Sequence, residues 1–267
     1  MRLLRKQRNA YRRSGLLGTI GTAARALVFY ATEMAPAQRR SRRREREYEE
    51  AFDRKFNVRT GGHVDLVDVD VLPTRNRLFG QAYYATPPAS FAQMLSAVPT
   101  DFEDFVFVDF GSGLGRVLLL ASEYPFRAIR GVEFSPDLHR VACDNIRSYR
   151  SQTQKCKDIV SICQDAAEYK IPEEKAVLYL YNPFLAPVMA KVMSNLNESL
   201  LKNPREIYLI YYSPEARDTV DGSPVFRLIH QSSSYCVYRS ETADCRQQAG
   251  NTDANPSLLP TGRQLPK

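Results

Sequence analysis

The sequence predicts an α/β fold in which a doubly wound, mostly parallel sheet of seven strands ends in an antiparallel hairpin. Strand-like and helix-like segments alternate along residues 105–240, and such alternation implies a parallel sheet with helices on both faces. The first of these strands, residues 105–108, leads directly into a turn with glycine at every second position. The last two strand-like segments, 225–230 and 235–238, are separated only by Gln-Ser-Ser-Ser, which predicts an antiparallel pair.

Five parallel strands are predicted where apolar, β-branched and aromatic residues run together, a pattern typical of strands that are buried on both faces. Helices are predicted where apolar residues recur at helical spacing, and Ser135 and Pro136 supply a favourable N-cap and first residue for one of them. The strands are residues 105–108, 128–134, 159–163, 176–181 and 207–212, and the helices include 114–124 and the segment 188–200.

The segment before the first parallel strand, residues 47–104, is predicted to form a helical and extended cap. Its first helix is broken at Thr60-Gly61-Gly62. Residues 64–72 alternate apolar residues with aspartates, which predicts an exposed edge strand or extended segment. A short helix with the apolar face Phe91, Met94, Leu95 and Val98 then leads to the first parallel strand.

Four regions are therefore predicted along the chain. Residues 1–46 form a basic N-terminal arm, 47–104 the cap and 105–240 the ligand-binding domain. Residues 241–267 are polar and contain several prolines, which predicts a disordered tail.

Positive charge is concentrated in the arm. Residues 1–46 contain 13 Lys and Arg residues against 2 acids, and residues 241–267 are neutral, so the central part is acidic although the whole chain carries +7. Small or apolar residues recur at helical spacing in the arm, but the stripe is too short and too interrupted for a membrane span. Three interpretations stay open: an amphipathic helix on an anionic membrane surface, an organellar transit peptide, or a partly disordered arm without a special partner. The arginines of residues 39–46 are also suited to nonspecific contact with nucleic acid.

The five cysteines form no C-x-x-C pair, and the three histidines are scattered along the chain. This pattern argues against a disulfide framework or structural zinc and favours a reducing compartment. We therefore predict no metal site and a cytoplasmic protein, peripheral to a membrane or organellar if the arm acts as an anchor or transit peptide.

The turn after the first parallel strand contains Asp109 and the alternating glycines Gly111, Gly113 and Gly115, with Ser112 between the first two. Glycine lets the backbone approach a ligand closely, and N–H groups are free at the start of a helix. In a doubly wound sheet, ligands bind at this point, beyond the carboxyl ends of the strands. The dinucleotide pattern G-x-G-x-x-G does not apply, because an arginine stands where its third glycine would be.

An acid, Glu133, ends the second parallel strand, 22 residues after Gly111. A carboxylate at this place can accept both hydroxyls of a ribose. The acid, the glycine turn and the spaced second acid resemble the corresponding motifs of class I S-adenosylmethionine (SAM) methyltransferases. This resemblance implies a Rossmann-like fold and SAM as cofactor. It further implies that Glu133 binds the ribose, and that Asp109 anchors the glycine loop near the methionine part of SAM.

Four segments together resemble a family of bacterial class I SAM-dependent methyltransferases of mostly unassigned substrate. They are residues 83–87, 108–116, 131–136 and 179–184. The resemblance implies that Asp165 lies near the adenine amine, that the Ala166 N–H faces a ring nitrogen, and that Tyr83 and Thr86 close over SAM. From the residues alone, Asp165 is also interpretable as a turn acid that caps the next segment.

Asn182-Pro183-Phe184 resembles the Asn/Asp-Pro-Pro-Tyr/Phe motif that N-methyltransferases carry after their fourth strand, although the second proline is absent. The resemblance implies that these three residues form the catalytic segment. The Asn182 carbonyl would accept an N–H from the attacking amine, and Phe184 would pack on the acceptor or on the methionine part of SAM. Positioning would supply most of the acceleration. The alternative interpretation makes Asn182 the N-cap and Pro183 the first residue of the next helix.

Together these features predict SAM-dependent methyl transfer to a nitrogen acceptor, with a protein side chain such as lysine as the favoured substrate. The layout also looks like that of the seven-strand protein-lysine methyltransferases. No general base is evident, so an aromatic site around Tyr83, Tyr181 or Phe184 is expected to favour the neutral amine by desolvation. Two alternatives stay open: methylation of a small molecule or RNA, and a SAM-binding scaffold without turnover.

Overall fold

The computed structural model describes residues 47–72 and 79–241. The predictions for the arm and for the tail after residue 241 lie outside the described residues. The chain divides into two compact units, residues 1–52 and 53–267. Of the first unit the structure describes residues 47–52, which are helical. The second unit contains both sheets and the candidate site, and the finer division into a cap and a ligand-binding domain stays a prediction.

The second unit begins with the helical residues 53–56 and a small antiparallel sheet. This sheet pairs β1 (His63–Val64) with β2 (Tyr83–Tyr84). Helix α1 (Pro88–Ser96) follows and buries Phe91, Met94 and Leu95, which confirms its predicted apolar face.

The main sheet has seven strands in the order β5-β4-β3-β6-β7-β9-β8. The pairs from β5 to β7 are parallel, and β9 is antiparallel to both of its neighbours, which confirms the predicted fold class. The strands are β3 (Val106–Phe110), β4 (Ala128–Glu133), β5 (Ile159–Cys163), β6 (Ala176–Tyr181), β7 (Ile207–Tyr212), β8 (Phe226–Gln231) and β9 (Tyr235–Ser240).

Helices cover both faces of this sheet. On one face, α2 (Arg116–Ala121) and α3 (Pro136–Ser148) pack against β3, β4 and β5. On the other face, α4 (Ala186–Lys202) joins the alternate residues of β3, β6 and β7 in one buried apolar cluster. A short helix, α5 (Arg217–Asp221), contacts α4 and β8. The central strands β3, β6 and β7 are mostly apolar on both sides because both sides are covered.

The start of α3 confirms its predicted cap. The Oγ of Ser135 accepts a hydrogen bond from the backbone N–H of Leu138 (3.3 Å), and Pro136 is the first helical residue. The start of α2 is different, because its N-cap is Gly115 in a left-handed conformation with φ of +84°.

An edge strand or an extended segment is predicted for residues 64–72, and the edge strand is wrong for most of that length. Only His63–Val64 is a strand, and Leu66–Asp68 is a 3-10 helix. The segment is attached to the connection after β4 and to α3: the Leu72 N–H donates to the Phe134 carbonyl (3.0 Å) and the Asp70 N–H to a carboxylate oxygen of Asp137 (2.9 Å). These bonds take the place of a strand ladder.

The interpretation of Asn182 as a helix N-cap is also wrong. Helix α4 begins at Ala186, with Leu185 as its N-cap. The chain turns at Asn182 with φ of +38°, and Phe184 then forms a β-bridge with Gly80. Because this segment pairs with Gly80, the helix begins at Ala186, three residues after Pro183, its predicted first residue.

None of the helices within residues 47–72 and 79–241 combines the length and apolarity needed to cross a membrane.

Candidate functional site

A cleft opens at the carboxyl ends of β3, β4, β5 and β6. The chain adds strands toward one edge of the sheet from β3 to β5 and toward the other edge from β6 to β7, so β3 and β6 meet at the topological switch point. A doubly wound sheet binds its ligands at such a point. The free space of the cleft, which includes its opening to solvent, is about 830 Å³. Eleven residues predicted for the site line it: Tyr83, Thr86, Asp109, Gly111, Ser112, Gly113, Glu133, Asp165, Ala166, Pro183 and Phe184.

The glycine loop is held tightly against β4. The N–H groups of Gly111 and Ser112 both donate to the carbonyl of Val132, at 2.8 and 3.1 Å. The N–H of Gly113 donates to a carboxylate oxygen of Glu133 at 2.7 Å. The loop amides therefore position the loop itself, and side chains supply much of the polar surface that faces the cleft.

Each glycine of the loop has positive φ, and each also allows a close contact. A Cβ at Gly111 would lie 2.5 Å from the Cβ of Pro183, and one at Gly113 would overlap the ring of Tyr83. Gly115 does not line the cleft; a Cβ there would lie 3.2 Å from Ala142, so this glycine lets α2 approach α3. The turn that is predicted to face the ligand thus also packs closely against neighbouring segments of the protein.

Glu133 is buried at the end of β4 and holds two backbone groups. One oxygen accepts from the Gly113 N–H, and the other accepts from the Ser135 N–H at 2.8 Å. Burial raises the pKa of Glu133 to about 7, although these backbone donors act in the opposite direction. A carboxylate has about four lone-pair sites, so Glu133 keeps acceptor capacity for ligand hydroxyls beside its backbone donors Gly113, Ser135 and Phe134.

Asp109 is the fourth residue of β3 instead of following the strand, because β3 extends to Phe110. Its side chain is 3% exposed, lines the cleft and has no hydrogen-bond partner among the described residues. Burial, and secondly the nearby charge of Glu133, raises the pKa of Asp109 well above its usual range. A buried carboxylate without a partner is costly, and a cationic group in the cleft would relieve that cost.

Ser112 is the other polar side chain of the loop. Its Oγ is buried and has no hydrogen-bond partner within residues 47–72 and 79–241. The side chain lies against Gly131 of β4, where a Cβ would come within 2.7 Å of that oxygen. It is a polar group that a bound ligand could satisfy.

Asp165 and Ala166 border the cleft after β5. The Asp165 carboxylate accepts from the Ala167 N–H at 2.9 Å and caps the 3-10 helix Ala166–Glu168. The structure thus contains the capping contact that the sequence left as an alternative. Since Asp165 also lines the cleft, the cap holds the Ala166 backbone at its edge.

Tyr83 and Thr86 close the cleft from the side of the preceding segment. The Tyr83 hydroxyl donates to the Thr60 carbonyl at 2.7 Å, and its ring covers Gly113. The Thr86 hydroxyl lies 2.9 Å from that of Tyr179 on β6. Just before these two residues in the chain, the Gln81 N–H donates to the Pro183 carbonyl at 3.0 Å. Residues 79–86 therefore form a lid across the carboxyl ends of β3 and β6.

The predicted catalytic segment divides between the cleft and the core. Pro183 and Phe184 line the cleft, but the Phe184 ring is 6% exposed and belongs to the buried cluster around α4. Asn182 does not line the cleft, and its Oδ1 lies 3.4 Å from the Tyr211 hydroxyl. Its predicted catalytic role stays a prediction.

Several residues that organise the site could not be found by motif. The Arg116 guanidinium is 1% exposed, contacts Thr60 and lies 3.2 Å from the Asp53 carboxylate. The buried Asn145 side chain of α3 donates to the carbonyls of Arg59 and Leu114 and accepts from the Arg59 N–H. The one sequence signal is polarity, since Asn145 stands at helical spacing with the apolar residues Leu138, Val141 and Ala142.

No group of histidine, cysteine and acidic side chains that could hold a metal ion occurs among the described residues.

No protein-family model matches this chain, and no curated protein matches it. Solved structures that this chain matches include a precorrin-6y C5,15-methyltransferase from Geobacter metallireducens. It shares 13% identity with a TM-score of 0.43, over 66% of this chain and 94% of that one. A TehB-like SAM-dependent methyltransferase from Corynebacterium glutamicum shares 13% identity with a TM-score of 0.41, over 57% and 86%.

An RNA methyltransferase from Salinibacter ruber in complex with S-adenosyl-L-homocysteine shares 23% identity with a TM-score of 0.39, over 58% of this chain and 91% of that one. The identities and TM-scores of these three structures are low. The function proposed for this chain therefore rests on the geometry of its cleft.

Proposed function

We propose that the cleft binds SAM and that the protein is a SAM-dependent methyltransferase acting on a nitrogen acceptor, with a lysine side chain as the favoured substrate. One observation carries the proposal: two buried carboxyls, Asp109 and Glu133, face a cleft in which the described residues give them no cationic partner. Arg116, the one cationic side chain among the described residues that line the cleft, contacts Asp53 and Thr60. SAM carries an ammonium and a sulfonium, and these positive charges would favour the ionised form of both buried carboxyls.

The polar groups of the cleft fit the parts of SAM in order. The remaining acceptor capacity of Glu133 fits the ribose hydroxyls. Asp165 and Ala166, beyond β5, border the place for the adenine. Asp109 would take the methionine ammonium, which supplies the cation that this buried carboxyl lacks.

When bound, SAM supplies a sulfonium methyl group that is open to direct attack by an amine. The chain's own residues would bind and orient the two reactants and exclude water. Tyr83 and Thr86 close the lid over the glycine loop, and holding the reacting atoms about 3 to 3.5 Å apart is then the main source of acceleration.

Isothermal titration calorimetry with S-adenosylhomocysteine (SAH) tests the cofactor assignment. Wild-type protein is expected to bind SAH at micromolar concentration, and Glu133→Ala to bind at least tenfold more weakly because the ribose loses its acceptor. The matched control is Glu198→Ala on α4, outside the cleft, which is expected to bind as the wild type does. Absence of binding by the wild type would refute the proposal.

Radiolabelled SAM incubated with protein and cell lysate tests turnover and the acceptor. Label in protein bands supports the lysine proposal, and its loss in Asn182→Ala would support the predicted role of that amide. Label in RNA or in small molecules would favour the alternative acceptors, and SAH binding without label would favour a scaffold.

The proposed contacts of the arm with an anionic membrane or nucleic acid need a separate test, which compares the full chain with a variant that begins at residue 47.

A further inference from the structure

One face of the sheet presents a carboxylate and three phenols in a row at its carboxyl edge. Parallel pairing places Asp109 of β3 beside Tyr179 of β6, and Tyr181 of β6 beside Tyr212 of β7. Neighbours in a register share a face, and residues two apart on one strand share it too. All four side chains therefore lie on the face of α1, where the Phe91 ring meets Tyr179 edge-on.

The row begins in the cleft and extends away from the proposed adenosine end. Tyr179 and Tyr181 line the cleft on the β6 side, whereas Glu133 and Asp165 lie on the β4 and β5 side. The rings of Tyr181 and Tyr212 are in contact, with centroids 4.4 Å apart and planes tilted by 43°. Tyr212 is half-buried, so the pair forms a wall that remains accessible beside the cleft.

The predicted catalytic segment offers little to a nucleobase. The Phe184 ring lines the cleft, but it is 6% exposed and packs in the buried cluster around α4. The Asn182 amide oxygen lies against the Tyr211 hydroxyl, outside the cleft. Nor do the described lining residues supply a cation for a phosphate backbone beyond Arg116, which is buried against Asp53.

Aromatic faces and phenol oxygens suit an alkyl amine instead. A ring face attracts the positive charge that develops on the amine nitrogen during methyl transfer, and a phenol oxygen accepts an N–H. Partial burial disfavours the charged form of an amine, which promotes loss of its proton to solvent before reaction.

We propose that Tyr181 and Tyr212 form the acceptor subsite and select an alkyl amine, the side chain of lysine, over an aromatic base amine. This inference rests on the proposed function and deepens it. The amine enters with its N–H groups directed to the phenol oxygens and its lone pair toward the methyl carbon. The new N–C bond forms as the C–S bond breaks, and the sulfur keeps that electron pair and becomes a neutral thioether. The methylated amine, now a secondary ammonium, releases a proton to water.

The test uses the full chain with tritiated SAM and cell lysate, followed by hydrolysis of the labelled protein and chromatography of its amino acids. Wild-type protein is expected to place the label in N-methyl-lysine. Tyr212→Ala should lower the labelling rate by roughly tenfold or more, the scale of one desolvated cation–aromatic contact. Tyr212→Phe keeps the ring and should retain more activity than Tyr212→Ala. Because alanine could disturb the sheet, the SAH affinity and thermal unfolding of each variant are measured in parallel, and Tyr181→Phe provides a second, milder change.

The matched control is Tyr208→Phe, which removes a hydroxyl from the same strand and face at the end remote from the cleft, where it bonds to Glu206. It should label as the wild type does. Wild-type SAH affinity with reduced lysine labelling in Tyr212→Ala supports the subsite. Full labelling by both Tyr212→Ala and Tyr181→Phe overturns it while the proposed function stands. Wild-type label outside lysine, or no label, also overturns it, and failure of the wild type to bind SAH overturns both proposals.

Discussion

Glu133 is the residue on which the cofactor proposal depends, and its ionisation gives that proposal a pH dependence. Burial raises its pKa to about 7, so the unliganded carboxyl is about half protonated at neutral pH. Ribose hydroxyls donate to the ionised form, so binding should lower this pKa and release a proton. SAH affinity should therefore rise as the pH increases from 6 to 8, by at most tenfold per unit for this single group.

Calorimetry across that range in buffers of different ionisation enthalpy measures both the affinity and the proton release. Glu133→Gln should bind more weakly and lose this part of the dependence. Asp109 is the other buried carboxyl of the cleft, and its charge interacts with that of Glu133. The variant Asp109→Asn measures how much Asp109 contributes to the pH dependence. An affinity that falls toward pH 8 in the wild type would contradict the role of Glu133.

Gly113 makes a second prediction at the residue scale. An alanine there would overlap the Tyr83 ring and keep a φ of +53°. Gly113→Ala should therefore displace the lid and weaken SAH binding at least tenfold. Gly62→Ala isolates the strain of positive φ, since Gly62 has φ of +94° and a Cβ there would meet no described residue within 4 Å beyond its chain neighbours; its SAH affinity should match that of the wild type. Equal affinities for both variants would show that Tyr83 does not close the site.

Helix α3 holds the glycine loop through one buried side chain, and this is the prediction at the scale of elements. Asn145 bonds to the backbone of Arg59 and Leu114, so Asn145→Ala leaves three backbone groups without these partners: the buried Leu114 carbonyl and the part-buried N–H and carbonyl of Arg59. We expect a loss of about 2 to 3 kcal/mol in unfolding free energy, measured in urea. The exposed Asn203→Ala, which removes one bond to the Glu173 carbonyl, should change it by less than about 0.5 kcal/mol. Similar effects for both would contradict the account of the loop.

The ion pair between Arg116 and Asp53 joins α2 to the segment that ends at Thr60. Asp53 also accepts from the N–H groups of Thr60 and Gly61, at 2.8 Å each. Asp53→Ala removes the carboxylate from a guanidinium that is 1% exposed, and should lower the free energy of unfolding by roughly 3 kcal/mol. Asp158→Ala breaks the more exposed pair with Arg130 and should cost less than about 1 kcal/mol. Thermal or urea unfolding compares the two, and an equal loss would show that burial of the first pair is unimportant.

At the scale of the whole molecule, the features predicted correctly are those that depend on local sequence patterns. The bounds of β5, β6 and β7 agree with the prediction because continuous apolar runs end sharply at polar residues. The glycine loop and Glu133 were found because their chemistry is contained in a short spacing. The fold class followed from the order of these elements.

The sequence could not show relations that depend on strand register and long-range pairing. The contact of Tyr181 with Tyr212 joins residues of two strands that are separated by α4. Asn182 turns away from the cleft because the segment 183–185 pairs with the lid at residues 79–81, which no local pattern indicates. The bend at residues 66–72 depends likewise on bonds to Phe134 and Asp137.

A crystal structure of the protein with SAH tests the central claim most directly. We predict density for the nucleoside in the cleft, with both ribose hydroxyls within hydrogen-bond distance of the Glu133 carboxylate and the ammonium beside Asp109. A cleft that stays empty at saturating SAH, or a bound nucleoside whose ribose lies away from Glu133, would contradict the claim.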